Sequence, residues 1–245
     1  MTDVHCHILH SIDDGPKSLE ESIALVRSCA NDGIKTMVST SHYYSAHTPL
    51  EDFVDRRDRR IAELKSVLPE NGINMDIRSA AEIHITEILL NLSSMKELCI
   101  ENTSFALLEI PYNEADMDRV CDLIERIVSY YCIKPIIAHV ERYDNLVKNE
   151  AQVLKFRSMG CLIQVDSDSM IQMFGKDKRF VSKLIKHGLV DLIASDCHGG
   201  KRIQNLPKAY ENIAKRFSPS VVDALQKNAA RVLEDKPVSE IIGRY

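Results

Sequence analysis

His5 and His7 stand two residues apart near the start of the chain, in Asp3-Val4-His5-Cys6-His7-Ile8. On an extended backbone alternate side chains share a face, so both imidazoles point one way while Val4, Cys6 and Ile8 point the other. Two neutral imidazoles on one short strand make a cation-ligand pair that needs little loop ordering. The Asp13-Asp14-Gly15 turn that follows adds hard oxygen donors. Further along, His42, Glu82, Glu109, His139, Asp166, Asp196 and His198 stand where apolar runs give out. This set exceeds what one tetrahedral or octahedral ion takes, so it implies two or three cations bridged by carboxylates. Cations about 3.5–4 Å apart clamp the attacking and leaving oxygens of a phosphate and activate water at neutral pH. The implied chemistry is hydrolysis, foremost of a phosphoester. Glu82 and Glu109 suit bridging because each offers two oxygens, and Glu109 sits inside the apolar run Ser104–Pro111, where a lone carboxylate needs a partner.

Such residues converge only if the elements carrying them do. Apolar runs at Thr2–His7, Ile34–Thr40, Met75–Ala81, Ser104–Ile110, Lys134–Ala138, Cys161–Val165 and Val190–Ser195 read as strands. Helical spacing fills the gaps. Ser18 and Glu21 form a capping box ahead of Leu19, Ile23, Val26 and Ala30, and Gly33 stops that helix. Thr48-Pro49-Leu50-Glu51 reads as a second capping box with proline at the first helical position. Ile85–Leu98 is ambiguously helical, and Met117–Tyr131, Ala151–Met159, Phe180–His187 and the regions around Ala209 and Val222 read as helices, the last capped by Ser218-Pro219. Seven strands alternating with helices imply parallel pairing with right-handed crossovers, in a closed barrel or an open wound sheet. A barrel brings all the strand ends to one catalytic rim.

Composition narrows the function classes. The 245 residues carry 31 Lys and Arg against 36 Asp and Glu, a formal charge of -5, without the basic stripe that nucleic acid requires. No apolar run approaches membrane-spanning length and no signal-peptide pattern opens the chain, so it reads as a cytoplasmic protein without membrane insertion. The 7 cysteines are scattered, which suits reduced, mostly buried thiols. None has arginine six positions later, so the Cys-x5-Arg loop of cysteine-nucleophile phosphatases is missing.

The runs Asp3–Leu9 and Ile12–Ser18, with Ser39–His42, Ala81–Ile83, Leu108–Ile110, Ile137–Tyr143 and Ala194–His198, resemble the CpsB/CapC family of capsule-locus protein tyrosine phosphatases, within the polymerase and histidinol phosphatase (PHP) superfamily. The likeness spans essentially the whole chain, and Ile-Asp-Asp-Gly-Pro and His-x-Glu-Arg-Tyr are its most specific pieces. It implies an α/β fold, a distorted (β/α)7 TIM-like barrel formed by one domain over 1–245, holding a cluster of manganese ions, with iron, zinc or magnesium as alternatives. Carried over, His5, His7, Glu82 and Asp196 are ligands of one metal; Glu82, Glu109 and His139 serve neighbouring ions; Asp14, His42 and His198 complete the cluster. Arg142 matches the family's phosphate-binding arginine, the alternative being a surface ion pair with Glu141 or Asp144. Arg202 is the candidate second phosphate contact, in a Gly199-Gly200-Lys201-Arg202 segment shorter than the family's, which leaves its role open. His10 also departs from the family pattern. Asp166 is left open between a place behind the ligands and no part in the site, His47 is placed at the substrate mouth or in solvent, and His10, His84 and His187 outside the ligand set. The implied substrate is a phosphotyrosine protein, a bacterial tyrosine autokinase controlling capsular or exopolysaccharide synthesis. A histidinol-phosphatase-like enzyme and a non-catalytic component of a polysaccharide assembly locus are the alternatives, and a homo-oligomer stays open.

Overall fold

In the computed structural model, which describes residues 1–112, 114, 116–171, 175–200 and 202–242, the apolar runs form short parallel strands. They are β1 (Thr2–Cys6), β2 (Thr36–Ser39), β3 (His42–Tyr43), β4 (Asp76–Ser79), β5 (Glu82–His84), β6 (Phe105–Glu109), β7 (Lys134–Ile137), β8 (Leu162–Asp166) and β9 (Leu192–Ala194). One sheet runs β1-β2-β4 and the other β3-β5-β6-β7-β8-β9. β2 and β3 are halves of one barrel strand interrupted at Thr40-Ser41, and β4 and β5 halves of another interrupted at Ala80-Ala81. His42 and Glu82 therefore open second segments, where the sequence suggested that they follow a finished strand. Thr40 patches the first interruption, its Oγ1 accepting from the Cys6 N–H at 3.1 Å. Beyond β9, the Asp196 N–H donates to the His5 carbonyl at 2.9 Å and the His7 N–H to the Cys197 carbonyl at 2.8 Å, closing the ring from last strand to first. The result is the expected seven-stranded parallel barrel.

Helices cover the outside: α1 (Leu19–Asn31), α2 (Leu50–Val67), α3 (Met117–Tyr131), α4 (Asp144–Lys148), α5 (Glu150–Ser158), α6 (Asp168–Ile171), α7 (Lys176–Lys186), α8 (Leu206–Arg216) and α9 (Pro219–Leu233). Ser18 caps α1 by accepting from the Glu21 N–H, and Ser218 caps α9 by accepting from the Val221 N–H. Two local expectations change, and one element is new. Pro49 stays extended (φ -55°, ψ 146°) and α2 starts one residue later, at Leu50, without a side-chain cap. Ile85–Leu98 forms two short 3-10 turns, Glu87–Asn91 and Lys96–Leu98, instead of an α-helix. α4, only 5 residues long, has too short a pattern to announce itself.

Two apolar layers result. Val4, Val38, Ala80, Phe105, Leu107, Ile136, Ala138, Leu162, Leu192 and Ala194 pack with Ala229 and Val232 of α9. A cluster drawing on strands all round the ring lies inside it, and α9 plugs the end opposite the ligand-type residues. The outer layer, with Cys6, Ile8, Met37, Ile77, Leu108, Ile137, Ile163 and Ile193, lies under the helices. Val4 and Cys6 thus fall in different layers, against strict alternation. The register of β1 shifts between Asp3 and Cys6, and a bulge of this kind puts consecutive side chains on one face. That irregularity lets Val4 fill the barrel while His5 and His7 still point to its axis.

Candidate metal centre

β1 brings His5 and His7 to the rim with their Nε2 atoms 3.3 Å apart. Glu82, opening β5, places Oε2 3.3 Å from His5 Nε2, 3.2 Å from His7 Nε2 and 3.0 Å from His42 Nδ1. Asp196, beyond β9, sets Oδ1 3.2 and 3.3 Å from the same two Nε2 atoms. His5, His7, Glu82 and Asp196 therefore offer ligand atoms all within 4.8 Å of one another, as do His7, Asp14, His42 and His198, and likewise His42, Glu82 and Glu109. Shared His7, His42 and Glu82 join the three groups into one cluster. His139, after β7, lies 2.7 Å from Glu82 Oε1 and 3.9 Å from Glu109 Oε1. All nine sequence-predicted ligands are thus brought together.

Hydrogen bonds such as His139 Nε2 to Glu82 Oε1 do not account for all of these approaches. Glu82 Oε2, Asp196 Oδ1, His42 Nδ1, His139 Nδ1 and His198 Nε2 are buried and lack a hydrogen-bond partner among the described residues. Buried polar atoms cost free energy when left alone, and four of these five face ligand-type atoms across short gaps: Glu82 Oε2 and His42 Nδ1 each other, Asp196 Oδ1 the His5 and His7 Nε2 atoms, and His198 Nε2 the Asp14 Oδ1. Imidazole nitrogens mixed with carboxylate oxygens around such gaps fit divalent cations. Electrostatics agrees. Burial opposes charging of His5, yet Glu82 and Asp196 outweigh it and raise it to about 9. His7 is likewise raised against burial, chiefly by its bond to Asp13. Burial also opposes charge on Glu82 and Asp196, but His5 leads the groups that hold both carboxylates well below their ordinary range. Burial and then His7 lower His198 to about 4, keeping it neutral. The carboxylates call for positive charge at their centre, which a cation supplies as well as a proton does.

Local backbone geometry aims several of these groups. His139 (φ 33°) and Asp196 (φ 48°) adopt left-handed conformations, uncommon for residues other than glycine and concentrated where structure is held for function. Each turns the chain sharply just past a strand, so a side chain faces the axis instead of continuing along the barrel.

Three supporting residues lie outside the nine ligands read from the sequence. Asp13 Oδ2 takes His7 Nδ1 at 2.9 Å and the His42 N–H at 3.2 Å, leaving His7 Nε2 toward the cluster. A histidine backed by a carboxylate is a known second layer of metal sites, and the signal was present in Asp13 beside Asp14. Gln164, fully buried in β8, accepts from the His139 N–H at 2.9 Å and from His5 Nδ1–H at 3.2 Å, and donates to Asp166 Oδ1 at 3.0 Å. Nothing in an apolar strand marks such a glutamine beyond its being polar. His84 Nδ1 lies 3.2 Å from Glu109 Oε2, beside the ligand cluster although not expected in it.

Two arginines complete the rim. Arg142 Nη2 reaches Asp166 Oδ2 and Asp196 Oδ2, not Glu141 or Asp144, which disposes of the surface ion pair. Burial opposes its charge, but Asp166 and Asp196 outweigh burial and keep it protonated. Arg202 pairs Nη1 with Asp14 Oδ2 at 3.1 Å and Nη2 with Asp196 Oδ2 at 2.5 Å, so the short segment still reaches the centre; Lys201 lies outside the described residues. Asp166, whose role the sequence left open, holds Arg142 and accepts from Gln164 Nε2. His10 pairs with Glu63 and His187 with Glu150, both away from the cluster, while His47 lies 6.4 Å from the Tyr44 ring.

The sequence profile described as "Capsular polysaccharide synthesis, CpsB/CapC" matches residues 1–234. The chain belongs to the CpsB/CapC family. Tyrosine-protein phosphatase CpsB of Streptococcus pneumoniae is 32% identical, over 97% of this chain and 96% of that protein. Tyrosine-protein phosphatase YwqE of Bacillus subtilis is 27% identical, over 97% of this chain and 93% of its own. Among solved structures, one from work on YwqE and CpsB, described as metal-dependent tyrosine phosphatases, superposes with a TM-score of 0.81 at 26% identity, over 96% of this chain and 95% of that one. A phosphotriesterase homology protein from Escherichia coli matches at a TM-score of 0.57 and 12% identity, a likeness of fold alone. This CpsB/CapC member has no Cys-x5-Arg loop.

Proposed function

We propose that this chain is a metal-dependent protein tyrosine phosphatase that hydrolyses phosphotyrosine on a bacterial tyrosine autokinase of a capsule or exopolysaccharide system. The reading places it in the cytoplasm, takes 1–245 as one domain, and prefers manganese, two or three ions, over iron, zinc or magnesium. The observation that carries it is the meeting of Arg142 and Arg202 at Asp196, on the edge of a cluster of nine ligand-type side chains. Histidines 5, 7, 42, 139 and 198 with Asp14, Glu82, Glu109 and Asp196 would hold the ions, which supply Lewis acidity toward phosphoryl oxygens and acidify a bound water. The two guanidinium forks grip phosphoryl oxygens and stabilise negative charge that builds during transfer. Asp166 holds Arg142 from behind, and Asp13 and Gln164 keep His7 and His5 turned inward. A phenolate leaving group, of pKa about 10, departs without a strong general acid, and the cluster contains no carboxyl obviously free to act as one. A serine alkoxide is far more basic and needs a dedicated proton donor, so phosphotyrosine is favoured over phosphoserine.

A chelator abolishes hydrolysis of an aryl phosphate by the purified protein, and manganese restores it. Full turnover by dialysed, metal-free protein would overturn the reading. Preference for histidinol phosphate over phosphotyrosine peptide, by kcat/KM at fixed manganese, would support the small-molecule alternative instead, which the relatives' names do not favour.

A further inference from the structure

The ligand-type residues lie deep: His5 and His7 are 0% exposed and Glu82 and His139 1%. Two tyrosines stand above them at the mouth, Tyr44 at 38% and Tyr112 at 54% exposure. Tyr44 follows β3 and Tyr112 follows β6, with β5 lying between those strands in the sheet. The Tyr44 ring centroid is 5.5 Å from His42 and 5.2 Å from His84. Tyr112 lies 6.0 Å from His139 with the ring planes only 10° apart, and 5.5 Å from Tyr143. Of the four imidazoles close to Glu82, His42 approaches Oε2 at 3.0 Å and His139 approaches Oε1 at 2.7 Å. Each tyrosine therefore sits beside a different one of the histidines that approach Glu82. Both phenols also feel Glu82 and Glu109.

Resting on the phosphatase reading above, we propose that Tyr44 and Tyr112 are the two aromatic walls of the slot that receives the phenyl ring of the phosphotyrosine substrate. On this reading a phosphate passes the level of these rings before it meets the buried Glu82 and His139, with the part-exposed arginines beside the path. The rigid phenyl spacer of phosphotyrosine carries it down while stacking against ring faces and edges. Phosphoserine, with a one-carbon spacer, would have to bring its peptide backbone into the slot. Tyr112 also lies near enough to Arg142 for the two to interact electrostatically, which puts its ring close to where ring and phosphate would join. The walls are specificity-determining residues: they select the arm that carries the phosphate, while arginines and metal ligands act on the phosphate itself.

The test uses the manganese-loaded full chain and two peptides of one sequence, bearing phosphotyrosine or phosphoserine. Tyr44→Leu and Tyr112→Leu each lower kcat/KM for the phosphotyrosine peptide about tenfold, mainly through KM, and together about 100-fold. Tyr→Phe at either position keeps the preference for phosphotyrosine because the ring remains. Competitive inhibition by inorganic phosphate reads the phosphoryl site without the ring, and its constant stays near the wild-type value in Tyr44→Leu. Metal content and thermal unfolding, measured alongside, show that each variant is folded and loaded. Leucine variants that retain the wild-type preference overturn the inference. A Tyr112→Leu loss that appears in kcat and in phosphate affinity alike overturns it too, assigning that side chain to positioning Arg142. If the wild type itself lacks a phosphotyrosine preference, the parent reading falls first, before any variant is compared.

Discussion

Replacing Gln164 with leucine isolates the part of the centre that holds no ligand. The residue is fully buried, and its amide serves the His139 N–H at 2.9 Å, His5 Nδ1 at 3.2 Å and Asp166 Oδ1 at 3.0 Å. Leucine keeps much of the volume, so little cavity forms, but three polar groups in the buried interior lose their partner. At about 1–3 kcal/mol for each buried group left unsatisfied, the loss is about 3 kcal/mol or more. For a chain of this size that lowers Tm by about 6–12 °C. The functional effect is separate. An acceptor at Gln164 Oε1 fixes the proton on His5 Nδ1 and leaves the Nε2 lone pair facing Glu82 and Asp196; losing such a support typically weakens metal affinity about 10–100-fold. Gln164→Glu divides the two effects. It retains acceptors for His5 and His139 but sets a second carboxylate against Asp166, so it loses stability while holding metal better than the leucine variant. The assay is manganese titration of metal-stripped protein, followed by calorimetry, with thermal unfolding of the same samples. A leucine variant that binds manganese as tightly as wild type and melts within about 2 °C of it would refute the argument that Gln164 sets the orientation of His5.

Two further outcomes follow from the same geometry. Glu109→Gln removes one charge from a buried carboxylate that lies 3.2 Å from His84 and 3.9 Å from His139; it loses metal by elemental analysis and lowers kcat about 100-fold or more, and unchanged metal content and rate would exclude Glu109 from the centre. Asp235, past α9, accepts from the Ser104 N–H at 2.9 Å and pairs with Lys134 Nζ at 2.9 Å, and although burial opposes its charge these bonds hold its pKa below the ordinary value. A depressed carboxyl stabilises the fold above its unfolded pKa of about 3.9 and loses that contribution as pH falls through the folded value. Asp235→Asn is therefore less stable than wild type in urea near neutrality, and the gap closes as the pH is lowered below about 4; a gap independent of pH would show that Asp235 acts only by shape.

Much of this protein is written locally. Strand and helix spacing announced the alternating elements, Ser18 and Ser218 marked two helix starts, and ligand-type residues at successive strand ends pointed to one rim, because these signals depend on residues a few positions apart. The resemblance supplied the choice of Asp14 and the arginines. Tertiary structure decided what depends on partners far along the chain. The shift in β1 that puts Val4 inside the barrel with His5 exists only against β2. The left-handed turns at His139 and Asp196 are tolerable only where the closed ring holds them. Gln164 became a support when β8 came beside β7, 25 residues away from His139. Arg202 found its place because Asp14, 188 residues earlier, lies beside it at the rim. Periodicity sets which face a side chain takes within its own element, whereas a hydrogen bond or ion pair across the barrel exists only after closure has brought its two partners together.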